Sequence, residues 1–148
     1  MKKKIAALLL FFCSVSLSAQ NYTQAQEELR SEISTFLSRQ GFNPEKQSDG
    51  LKFKSEGANY YVEIDKHEKQ PMYLRLCRYL KFDDKITREK VLTDLNSFNV
   101  KFGVKVSCQE KNVLVSSEMF LTKAEEFTYA FDDLLSQVKS ACAKVNEQ

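Results

Sequence analysis

Met72-Tyr73-Leu74-Arg75-Leu76-Cys77-Arg78-Tyr79-Leu80-Lys81-Phe82, followed by Asp83-Asp84-Lys85-Ile86-Thr87, is the stretch that decides the fold. Leu74, Leu76 and Leu80 alternate with aromatic and charged residues, which is the period-two pattern of a strand with one covered and one open face. Asp83-Asp84-Lys85 stops that strand. Thr87 can then cap a helix in which Val91, Leu92, Leu95 and Phe98 share a face and Asn99 is the terminator. A long half-buried strand running into an amphipathic helix sets the expectation of an α+β domain.

Working back from Met72, Lys66–Pro71 reads as a polar loop. Before it, Tyr60, Val62 and Ile64 alternate with Tyr61, Glu63 and Asp65, and Leu51 and Phe53 alternate with Lys52 and Lys54, joined by a Glu56-Gly57 turn. Asn43-Pro44 through Asp49-Gly50 is turn chemistry. Thr23-Gln24-Ala25-Gln26 is a capping-box pattern opening a helix that ends at Gly41, with Ala25, Leu29, Ile33, Phe36 and Leu37 on one face. Working forward from Asn99, Phe102, Val104, Val106 and Cys108 form a strand. Gln109–Asn112 turns the chain into a further strand, Val113–Leu121. Thr122-Lys123-Ala124-Glu125 is a second capping box, opening a helix whose Ala124, Phe127, Phe131, Leu134, Val138, Ala141 and Val145 make one stripe. The predicted order is α-β-β-β-α-β-β-α: a two-layer α+β sandwich in which an antiparallel sheet of about five strands carries its helices on one face. Residues 20–148 form a single domain.

Met1–Ala19 has the three parts of a secretory signal: lysines at 2 to 4, an apolar run Ile5–Cys13 too short to span a bilayer, and a small-residue end, with cleavage after Ser18 or Ala19. Phe11 and Phe12 before Cys13 argue against a lipid-modified cysteine. Without the three leader lysines, the 22 basic residues of the chain fall to 19, against 20 acidic ones. The formal charge of +2 therefore belongs to the leader, and the body offers no electrostatic case for nucleic acid. The expected location of the mature chain is a bacterial periplasm or the extracellular space.

The element order, with Phe36-Leu37-Ser38-Arg39-Gln40-Gly41-Phe42, Gly50-Leu51-Lys52-Phe53 and Leu92-Thr93-Asp94-Leu95-Asn96, resembles the YbjN-like family, whose fold is that of type III secretion chaperones. The resemblance spans Leu29 to Val145. It implies a binding or chaperone-like module with no agreed enzymatic residues, and chaperones of this fold commonly pair as dimers. Fold alone does not deliver function.

Catalytic patterns are missing. His67 is the only histidine and sits in the polar loop. Cys77, Cys108 and Cys142 are far apart, with no C-x-x-C pair for a metal. Asp83-Asp84, Glu125-Glu126 and Asp132-Asp133 are adjacent pairs whose side chains diverge on a helix. Four glycines make no phosphate loop. No cofactor and no enzymatic activity are expected. If Cys108 faces the helices and Cys77 the other way, a Cys77–Cys108 disulfide is disfavoured, leaving a Cys108–Cys142 bridge or three free thiols.

The informative surface is the face opposite the leucine row. Tyr73, Arg75, Tyr79 and Lys81, with Tyr61 from the neighbouring strand, are candidate partner-binding residues, because tyrosine and arginine combine contact area with polar tips. The competing reading is that they merely cover an exposed sheet. Arg78, in the apolar row, points to a bulge or twist. The expected function is an exported, non-enzymatic module recognising a protein or peptide through the free face or a sheet edge, with a homodimer as one form of partner. A small-ligand carrier and an envelope hydrolase are the alternatives.

Overall fold

The computed structural model describes residues 21–147 except residue 102. The expected leader, Met1–Ala19, and the expected place of Phe102 in a strand lie outside the described residues.

Helix α1, Gln24–Arg39, begins with the expected capping box: Gln26 N–H donates to Thr23 Oγ1, and Thr23 N–H donates to Gln26 Oε1. It ends in a Schellman motif, in which Phe42 N–H donates to Leu37 O and Gly41 N–H to Ser38 O, with Gly41 at φ 87°. Leu29, Ile33 and Leu37 are buried as expected, but Ala25 is exposed and the buried place in the first turn belongs to Gln26.

Among the described residues six strands follow, close to the expected number of about five. Strands β1, Glu45–Gln47, and β2, Gly50–Ser55, form a hairpin. The sequence pattern hides β1 because its three residues are all exposed and carry no alternation. Gly50 is obligatory there, since a Cβ at that position would lie 1.9 Å from Val62 O. Glu56 and Gly57 both take positive φ in the two-residue turn to β3, Ala58–Lys69. The segment expected as a loop from Lys66 is therefore largely strand. It leads through Gln70 and Pro71 to β4, Met72–Lys81.

Helix α2, Arg88–Lys101, is capped by Thr87, whose Oγ1 accepts from Lys90 N–H. Val91 and Phe98 are buried, whereas Leu92 is half exposed and does not join them. Asn99 does not end the helix; its Oδ1 accepts from Val106 N–H at 2.7 Å. Strands β5, Lys105–Cys108, and β6, Asn112–Leu121, precede α3, Ala124–Asn146. At the start of α3 it is Glu126, not Glu125, that reaches back, accepting from the Thr122 N–H and hydroxyl. All seven residues of the expected α3 stripe are buried.

The observed order is α-β-β-β-β-α-β-β-α. All neighbouring strands are antiparallel, in the order β1-β2-β3-β4-β6-β5. Helices α1 and α3 pack on each other and on the central strands, and α2 packs on β5. The core between the layers is aromatic around Phe131, which meets Phe36 at 5.3 Å, Phe127 at 5.6 Å and Phe42 at 5.7 Å between centroids. The pairs with Phe36 and Phe42 are edge-to-face, a geometry that adds to the burial energy. Arg78 stays in the apolar row with no break in the β4–β6 register, and its guanidinium lies 5.6 Å from the centroid of the Tyr60 ring. Among the described residues, no helix is long and apolar enough to cross a membrane.

Candidate functional site: the open sheet face

The register places Tyr73, Arg75, Cys77, Tyr79 and Lys81 on the face away from the leucine row. Tyr61 and Glu63 of β3 lie beside them on one flank, and Leu114, Ser116, Glu118 and Phe120 of β6 on the other. Arg75 is the cross-strand neighbour of both Glu63 and Glu118.

Side chains on this face are tied together by hydrogen bonds and ring contacts. Arg75 Nε donates to Glu63 Oε2 at 2.5 Å, and Tyr79 Oη donates to Glu63 Oε1 at 2.6 Å. Tyr79 also meets the edge of Tyr61 at 5.5 Å between centroids. Burial and the hydrogen bond to Glu63 push the Tyr79 hydroxyl far above its ordinary range. Burial alone would lower Arg75, but the hydrogen bond and charge of Glu63 outweigh it and hold the guanidinium charged. Cys77 is fully buried on this open face, and its thiol is pushed up by burial first and by Glu63 second. Ser116 and Leu114, on β6 beside it, are buried as well.

Tyr73 and Phe120 form a second aromatic pair, 5.3 Å apart, at the other end of the face. Phe120 is 60% exposed, so one side of this pair is open to solvent. Burial and Glu118 push the Tyr73 hydroxyl up to about 12. Of the five candidate residues, then, Tyr61, Arg75 and Tyr79 belong to one bonded cluster, Tyr73 belongs to the exposed aromatic corner, and Lys81 stands exposed at the far end beside Asn112. Sequence reasoning passed over Glu63, Glu118 and Phe120. The alternation that placed the tyrosines also places these three, but it does not say which side chains bond.

A bulge shapes one border of the face. Between the pairs Ile64–Leu74 and Lys69–Met72, β3 advances five positions while β4 advances two. Gln26 supports the extra chain from α1, its Nε2 donating to Asp65 O at 2.9 Å and Glu68 O at 3.0 Å. Next to the bulge lies the β1–β2 turn, tied down by Ile64 N–H donating to Asp49 O and by Lys66 Nζ on Asp49 Oδ1 at 3.1 Å. His67 is exposed at the bulge.

Each edge strand of the sheet receives one side-chain contact on its backbone. Asn99 takes the Val106 N–H of β5, and Arg30 donates to Gln47 O of β1. These contacts blunt the template that a free edge offers. Cys77, Cys108 and Cys142 are all free. Among the described residues, no group of three or more His, Cys, Asp or Glu side chains could hold a metal ion.

Neither a family model nor a curated protein sequence matches the chain. Its architecture is similar to that of solved structures. One is an uncharacterized protein from Methanothermobacter thermautotrophicus, at a TM-score of 0.56 and 10% identity, covering 80% of this chain and 97% of that one. Another is a chain of the ExsC–ExsE complex, at a TM-score of 0.55 and 16% identity, covering 77% of this chain and 90% of that one. At these identities the likeness is one of fold, and it does not assign the chain to the YbjN-like family.

Proposed function

We propose that this chain is a non-enzymatic, chaperone-like binding module, exported by its leader, that recognises a protein or peptide through the open face of its sheet. The observation that carries this reading is the Tyr73–Phe120 corner, where a largely exposed phenylalanine stands beside side chains already held by Glu63 and Glu118. An aromatic anchor on a preorganised polar floor loses little conformational freedom on binding, which is the property of an interface hot spot. The likeness to a chain from a protein complex, ExsC–ExsE, supports a protein partner.

The thiols also support a non-catalytic reading. A nucleophilic cysteine needs a lowered pKa, yet burial pushes Cys142 up to about 12 and Cys77 higher still.

A photo-reactive phenylalanine analogue placed at position 120 tests the proposal in the native envelope. Tyr129, 96% exposed on α3, is the control position. A discrete protein adduct from position 120 and none from position 129 is the expected result. Equal labelling from both positions would remove the open face from consideration.

A further inference from the structure

Two hollows of about 300 Å³ each adjoin on the open face. Asp49, Glu63 and Tyr79 line both, so together they make one trough between the β1–β2 turn and the β3 bulge. Each hollow is at the small end of ligand sites, the size for one long side chain rather than a large cofactor.

The lining sorts by what it has left to offer. Glu63 is spent on Arg75 and Tyr79. Asp49 engages Lys66 through Oδ1 only, and Asp65 accepts the His67 N–H through Oδ1 only. Each of these two aspartates therefore keeps a second carboxylate oxygen for an incoming donor. Asp65 belongs to no ion pair among the described residues. Three carboxylates thus stand against Lys66 and Arg75, a net negative lining, and Tyr73 and Tyr79 supply ring faces. The adjoining surface already holds cations over a ring: Arg30 and Lys66 lie 4.9 and 5.1 Å from the Tyr22 centroid.

We propose that the trough receives an arginine side chain of the protein partner, its guanidinium paired with Asp49 and Asp65 and stacked on Tyr73. This rests on the open-face reading and names the partner's chemistry there. A guanidinium fits better than an ammonium because it offers several donors in a plane and stacks on aromatic rings. Charge complementarity then fixes which polypeptide segment is accepted, while the aromatic corner supplies the contact area.

The test is an NMR titration of the whole protein with a blocked pentapeptide bearing a central arginine, beside the same peptide bearing citrulline. The arginine peptide should shift the amides of Asp49, Asp65 and Tyr73 saturably, and the citrulline peptide should bind about tenfold more weakly, as loss of a charge-assisted contact implies. Asp49→Asn with Asp65→Asn keeps an acceptor for Lys66 and for the His67 N–H, so the fold should hold while arginine-peptide binding falls by a similar factor. Raising the salt concentration should weaken the arginine peptide alone. Equal binding of the two peptides, an unchanged double variant, or no saturable shift at these residues would overturn the inference. Cross-linking at position 120 reads the face independently, so an adduct there together with a failed titration would reject only the arginine.

Discussion

Tyr79 donates its hydroxyl hydrogen to Glu63 at 2.6 Å although the strand neighbour of Glu63 is Arg75, four residues away. Four residues of strand span roughly 13 Å, so the Tyr79 side chain lies along the sheet, across the row that Cys77 shares with Tyr61. This explains how Cys77 is fully buried on a face that carries no helix.

The first prediction follows from that cover. In the wild type, Cys77 should resist a water-soluble thiol reagent, since burial keeps its thiol protonated and unreachable. Tyr79→Ser should raise its labelling rate by about tenfold or more, and Tyr79→Phe, which keeps the ring but loses the bond to Glu63, should fall between. Peptide mapping separates Cys77 from the half-buried Cys108. Unchanged labelling of Cys77 in Tyr79→Ser would show that something else buries it.

Gln26 is a second point of leverage. Its side chain serves three main-chain groups: Thr23 N–H, Asp65 O and Glu68 O. Gln26→Leu leaves all three without that partner in a buried place and should cost about 2–4 kcal/mol of stability by urea denaturation. A loss below about 0.5 kcal/mol, the range of an ordinary surface change, would mean that the bulge does not depend on α1.

Alkaline pH gives a third test. Burial pushes Cys142 up to about 12 from an ordinary 9.0, and Tyr22 and Tyr73 up to about 12 from 10.0. A raised folded-state pKa means that the fold favours the protonated form, so this stability is complete below about pH 9 and is lost as pH rises toward 12. Urea midpoints should hold below pH 9 and fall steadily above it, with Tyr73→Phe softening the fall above pH 10. A midpoint that stays level through pH 11 would contradict the burial assigned to these groups.

The layered architecture was legible in the sequence because periodicity reports burial, and burial organises the layers. The leucines of β4 and the α3 stripe from Ala124 to Val145 are where the pattern put them. Strand β1 was not legible, being three exposed residues held by pairing with β2 rather than by a buried face. Strand β3 past Asp65 was obscured by the polar run Lys66-His67-Glu68-Lys69, whose extra residues are supported from α1 by a polar residue, Gln26, in a place where an apolar one was expected. On the open face, alternation placed Tyr61, Tyr73, Arg75 and Tyr79 correctly on one side. It could not show that Glu63 binds two of them, because Tyr79 leans across rows that cross-strand pairing keeps apart.

Export is tested by mass. The leader predicts a mature protein beginning at Ala19 or Gln20, and intact-mass measurement of protein purified from its native host should find one of these. A mass that includes Met1–Ala19 would contradict export with cleavage.

The central claim is that the Tyr73–Phe120 corner carries recognition, and the most direct measurement is the affinity of the cross-linked partner for three purified proteins: wild type, Tyr73→Ser with Phe120→Ser, and Tyr129→Ser. Sedimentation across a concentration range reads the same comparison if the partner is a second copy. Loss of buried aromatic anchors should weaken binding by at least about 2 kcal/mol, roughly thirtyfold, in the double variant alone, with its fold intact. Wild-type affinity in the double variant, or an equal loss in Tyr129→Ser, would contradict the account.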